Sequence, residues 1–75
     1  MKKLSLRTLA ETSISKRKAM KMTQLDLANK TGINRSMISK MESQEFTPSI
    51  EQLEKIAETL DFELPDMFLP EPDEI

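Results

Sequence analysis

The chain contains one glycine, Gly32, and where that residue sits constrains the fold more than any other feature of the sequence. Glycine enters the left-handed backbone region without a Cβ penalty, and the position that most often demands it is the residue just past a helix C-terminus. Nine residues upstream, Thr23 reads as an N-cap with Asp26 three positions on, a capping-box pair whose carboxylate also suits the positive end of the helix dipole. Thr23 and Gly32 therefore bracket a helix of only two turns, from which Met22, Leu27 and Ala28 face inward. Asn34 can cap the next helix, where Met37, Ile38 and Met41 form the apolar side and Arg35, Ser36, Ser39 and Lys40 the polar one. Two short helices joined by a tight turn are thus expected over about residues 23–42.

The flanking sequence reads as further helices. Ser5 can cap a first helix carrying Leu6, Leu9, Ala10 and Ser13 at helical spacing and running to about Met20, behind a loose basic arm of residues 1–4. A polar connection, Ser43-Gln44-Glu45-Phe46-Thr47, ends at Pro48, and Phe46 is expected to tuck into the core. Ser49 and Gln52 make a second capping box, followed by Ile50, Leu53, Ile56, Ala57 and Leu60 at three- and four-residue intervals. Pro65 suits the first position of a fifth helix bearing Leu64, Met67 and Phe68, after which residues 69–75 form an acidic, proline-containing tail. No stretch alternates long enough to read as a half-buried strand, so the expectation is an all-α, compact five-helix domain over residues 5–68.

What the chain lacks excludes whole classes of chemistry. Without Cys or His it has no thiolate nucleophile and no disulfide framework, and it lacks the usual zinc ligands and the commonest general base. One glycine cannot build a phosphate-cradling loop, so neither a metal nor a cofactor is expected, and an enzyme is disfavoured. The longest apolar run, Met67-Phe68-Leu69, is far too short for a membrane span, and no signal-peptide core follows Lys2 and Lys3, which leads to the expectation of a cytoplasmic protein. A chain of this size buries only about 60% of its unfolded surface, which favours self-association.

The net charge of −2 conceals a steep asymmetry. Residues 1–40 carry ten basic side chains against Glu11 and Asp26, whereas in residues 41–75 Lys55 stands alone against eleven carboxylates. A basic half can face a polyanion, because neutralising phosphates releases counterions, while the acidic half faces away. The alternative is that both sets of charges only solvate helix faces.

A motif decides between them. Gln24, Ala28, Gly32 and Ile38 recur at intervals of four, four and six, and each has a packing role: Gln24 starts a helix, Ala28 permits a close crossing, Gly32 makes the turn and Ile38 anchors the second helix. With the segment Ile38-Ser39-Lys40-Met41-Glu42 and the Pro48-Ser49 cap, the stretch from about residue 9 to 68 resembles the Xre-type, phage-repressor-like helix-turn-helix family. The sequence departs from the family pattern at Lys16 and Thr31, where an aliphatic is usual, and in the 43–47 loop, which lacks the common Asn-Gly or Lys-rich form.

The resemblance implies a transcriptional regulator of double-stranded DNA, expected to act as a repressor and as a homodimer on a palindromic operator. Carried over by position, Arg35, Ser36, Ser39 and Lys40 are the candidate base contacts, with a phosphate contact or simple filler as the alternative for the two serines. Gln24, Thr23, Asn34, Arg17, Ser43 and Thr47 are the candidate phosphate contacts, although Asn34 can serve as a cap alone. Arg17 and Glu42 match a family ion pair that is mainly structural. Met37 can reach a thymine methyl, while it and the other methionines otherwise read as adaptable core packing. Leu64, Phe68, Leu69 and Ile75 are the candidate dimer surface. The rival reading is an antitoxin-like module that binds a basic protein partner and for which DNA is secondary.

Overall fold

The computed structural model describes residues 2–70. Among the described residues, four α-helices surround one core: α1 (Leu6–Ala19), α2 (Gln24–Thr31), α3 (Arg35–Glu42) and α4 (Ile50–Leu60). The expected fifth helix is a single 3-10 turn, Leu64–Met67: Pro65 is accommodated at its start, but the chain is extended again at Phe68, where it pairs with Leu4.

The helix ends follow local chemistry. Ser5, Thr23, Asn34 and Ser49 are the four N-caps, each accepting a backbone N–H from two or three residues on. Thr23 with Asp26 and Ser49 with Gln52 complete reciprocal capping boxes. Gly32 closes α2 at φ 73°, in the left-handed region, and its N–H donates to the Ala28 carbonyl. Three further residues take positive φ without being glycine: Lys21, Gln44 and Asp61, which follow α1, α3 and α4.

The core comprises Leu9, Leu27, Ala28, Ile33, Ile38, Met41, Leu53, Ile56, Leu60 and Met67, with Leu4, Met22, Phe46, Phe62 and Leu64 packed at its edge. Within it α2 packs against α3 and α4, while α1 packs against α3 and α4. Thr31 is buried where an aliphatic would be expected, and its hydroxyl is satisfied by donating to the Leu27 carbonyl at 2.8 Å. Two apolar residues read as inward-facing are instead at the surface. Met37 lies one turn before Met41, at the solvent edge of the side of α3 that buries Ile38 and Met41, and Ile50 occupies the first turn of α4, ahead of the buried Leu53-Ile56-Ala57-Leu60 stripe. Met20 is likewise exposed.

The N-terminal arm is paired. Strand β1 (Lys2–Leu4) runs antiparallel to β2 (Phe68–Pro70), with Leu4 opposite Phe68 and Lys3 opposite Leu69. The Ser5 N–H donates to the Met67 carbonyl at 2.8 Å, continuing the link into α1. Each strand is only three residues long, too short for a period of two to show in the sequence, and the ribbon leaves the all-α character of the domain unchanged.

Candidate nucleic-acid interface

The arrangement around α2 and α3 is organised by one carboxylate. Glu42, the last residue of α3, has a side chain that is only 4% exposed, and it accepts four hydrogen bonds. Its Oε2 receives Ser13 Oγ at 2.8 Å and Arg17 Nε at 3.0 Å, and its Oε1 receives Arg17 Nη2 at 2.9 Å and Gln24 Nε2 at 3.1 Å. Arg17 thus grips the carboxylate with two parallel donors, the strongest geometry available to this pair. Its remaining terminal nitrogen, Nη1, donates to the Met22 carbonyl at 2.9 Å and draws in the α1–α2 turn. Burial alone would push the Glu42 carboxyl upward. The hydrogen bonds from Arg17, Gln24 and Ser13, with the Arg17 charge, together outweigh that and hold it below its ordinary value.

This cluster locks three helices in a fixed relation, since Ser13 and Arg17 lie on α1, Gln24 on α2 and Glu42 on α3. At the other end of α3, Asn34 Oδ1 accepts the Ser36 N–H at 2.7 Å. Between these two ends Ile38 and Met41 are about 1% exposed and fix the inner face. The outer face presents Arg35, Ser36 and Lys40 to solvent, with Ser39 half-buried beside them and Met37 exposed at its border with the apolar stripe. Thr23, Asn34, Ser43 and Thr47 are exposed around this face, and Gln24 is half-buried with its amide engaged by Glu42.

Arg17 departs from the sequence expectation of a phosphate contact. Its side chain is 11% exposed, and its guanidinium is committed to Glu42 and Met22, so it faces inward. The signal was present in the sequence as the Arg17 and Glu42 pair, but the burial that withdraws Arg17 from solvent is a tertiary effect. The exposed cations around it in the chain are Lys16, Lys18 and Lys21, none of which forms an ion pair among the described residues. Of the candidate dimer residues, Leu64 packs at the core edge, Phe68 is half-buried opposite Leu4, and Leu69 is 43% exposed; Ile75 lies outside the described residues.

A family model described as helix-turn-helix matches residues 14–67, most of the chain and all of the capped α2-turn-α3 unit. The chain belongs to the Xre-type helix-turn-helix family. No curated protein sequence matches it. Among solved structures, the restriction-modification controller protein C.AhdI from Aeromonas hydrophila is similar, with a TM-score of 0.74 and 27% identity over 84% of this chain and 96% of that one. This helix-turn-helix protein is accordingly a DNA-binding transcriptional regulator, with α3 in the place of the recognition helix. Among the described residues no group of three or more His, Cys, Asp or Glu side chains is arranged to hold a metal, and no helix is long and apolar enough to cross a membrane.

Proposed function

We propose that this helix-turn-helix protein is a sequence-specific repressor that acts as a homodimer on a palindromic operator, with α3 in the major groove. The observation that carries the reading is the polar outer face of α3, mounted on a fully buried inner face and moored through Glu42 to both neighbouring helices. At about 1.5 Å per residue, an eight-residue helix is about 12 Å long, matching a major groove about 12 Å wide. Arg35, in the first turn of α3 and exposed, makes a bidentate pair with a guanine edge in this reading. Ser36, Ser39 and Lys40 read bases or neighbouring phosphates, and exposed Met37 supplies an apolar contact for a thymine methyl.

Gln24 has a specific way to act. One amide hydrogen is held by Glu42, which leaves the second free for a phosphate and fixes its direction. Thr23, Asn34, Ser43 and Thr47 complete the backbone contacts that set register, while Arg17 contributes by holding Glu42. A homodimer on such an operator spans two half-sites about 34 Å apart, one turn of duplex, with exposed Leu69 and half-buried Phe68 as the candidate surface between protomers. The structural likeness to a restriction-modification controller supports a regulator that works by occupancy.

The test is selection of bound sequences from a random duplex pool, followed by salt-dependent binding of the winner beside a scrambled duplex. The expected result is a palindromic winner bound at least about 10³-fold more tightly than the scramble, with two protomers per duplex. Absence of enrichment would refute the operator reading and bring forward a protein partner for the acidic half of the chain.

A further inference from the structure

The three non-glycine residues at positive φ pose a question that capping alone does not answer. Lys21, Gln44 and Asp61 adopt φ 57°, 64° and 58°, a region in which a Cβ is strained against the following carbonyl. Asp is among the residues that tolerate this region through local hydrogen bonding, whereas Lys has no such relief. Lys21 sits in the turn after α1, where the Lys21 N–H donates to the Lys18 carbonyl and the Met22 N–H to the Arg17 carbonyl, a helix-ending arrangement that glycine would complete without strain. Its side chain is exposed and unpaired among the described residues.

The turn that carries this lysine is anchored. Met22, the next residue, is tied to the buried cluster through Arg17 Nη1, and that cluster contains the C-terminal residue of the recognition helix and Gln24 at the start of α2. Lys21 is therefore held three residues before Gln24, in a turn anchored to the buried cluster, and its charge is exposed while that of Arg17 is withdrawn into the interior. From this juxtaposition we infer that Lys21 is a phosphate-contacting residue, a backbone anchor held in a strained turn because a cation is needed at the corner that Arg17 leaves vacant. The inference rests on the DNA-binding reading above and adds to it a residue that no match to the family spacing assigns.

The experiment compares full-length wild type with Lys21→Gly, Lys21→Arg and Asp61→Gly for binding to a mixed-sequence DNA duplex across a salt series, with thermal melts of each protein. Lys21→Gly suits the left-handed turn, so its melting midpoint is expected at or above that of wild type. Loss of one phosphate contact lowers the salt slope by about 0.9, equivalent to a roughly eightfold loss of affinity at about 0.1 M salt that vanishes towards 1 M. Lys21→Arg is expected to retain the wild-type slope, and Asp61→Gly, which relaxes a turn on the acidic half of the chain, to leave it unchanged. Wild-type binding with an unaltered slope in Lys21→Gly would overturn the inference and reduce Lys21 to a partner of the α1 dipole. No salt-dependent binding by the wild type would overturn the DNA reading itself, and the inference with it.

Discussion

Removing the Glu42 carboxylate is the sharpest test of how the interface is held. In Glu42→Ala the Arg17 guanidinium stays buried with no counter-charge, Ser13 Oγ loses its acceptor in a fully buried position, and Gln24 loses its anchor. Breaking one partner out of a buried pair costs about 3–5 kcal/mol. A chain of 75 residues has a total stability of about 4–11 kcal/mol at ordinary values per residue, so this one change consumes a large share of it. Glu42→Gln is informative because it keeps the shape. Ser13 can rotate and Gln24 can flip to accommodate an amide, but an Arg17 N–H lies against each of the two carboxylate oxygens, so either amide orientation sets an NH2 against one of them. The expected cost is that of a charge-assisted hydrogen bond, about 1.5–3 kcal/mol.

Urea unfolding at pH 7, with the midpoint shift read at constant slope, measures both variants. Replacing both partners, Arg17→Met with Glu42→Leu, should recover much of the loss, since the penalty lies in the unpaired charge. A Glu42→Ala cost below about 1 kcal/mol, or a double variant no better than the single one, would refute the reasoning. In either case the DNA affinity of the double variant should remain reduced, because Gln24 would have lost its anchor.

Four shorter predictions follow from the same geometry. Because the folded Glu42 carboxyl lies below its unfolded value of 4.5, its contribution is fully present above that pH and is lost as the pH falls through the folded value. Acid unfolding followed by circular dichroism should therefore be shallower in Glu42→Gln than in wild type. Gly32→Ala meets no atom within 4 Å, so its cost is backbone strain at φ 73°, about 1–2 kcal/mol, and Gly32→Asn should cost less in the same melts. Met41→Ala should lose about 2–5 kcal/mol in urea unfolding, whereas Met37→Ala should stay within about 0.5, because Met41 is 1% exposed and Met37, at the edge of the same stripe, is 36% exposed. Arg35→Ala should cost about 1–3 kcal/mol on the selected operator in a binding titration, and an equal loss on scrambled DNA would make it a phosphate contact instead.

What the sequence determined by itself was whatever closes within a few residues. The Thr23–Asp26 and Ser49–Gln52 boxes, the Asn34 cap and the Gly32 turn each depend on hydrogen bonds or backbone angles spanning four positions or fewer, so their residues announce them locally. The polar face of α3 was legible in its composition, although Met37 and Ile50 were not, because an apolar residue at the edge of a helical stripe goes inward or outward according to the neighbour packed against it. Only the tertiary structure brings Ser13, Arg17 and Gln24 onto Glu42 from 29, 25 and 18 residues away and thereby buries the Arg17 guanidinium that the expected pair left partly open to solvent. It alone pairs Lys2–Leu4 with Phe68–Pro70 and places Lys21 at positive φ in the turn that Arg17 ties to Glu42. Local bonds constrain a few dihedrals and leave their signature in neighbouring residues. Burial and long-range pairing depend on which surfaces meet once the helices pack, and the spacing of residues along the chain does not encode that.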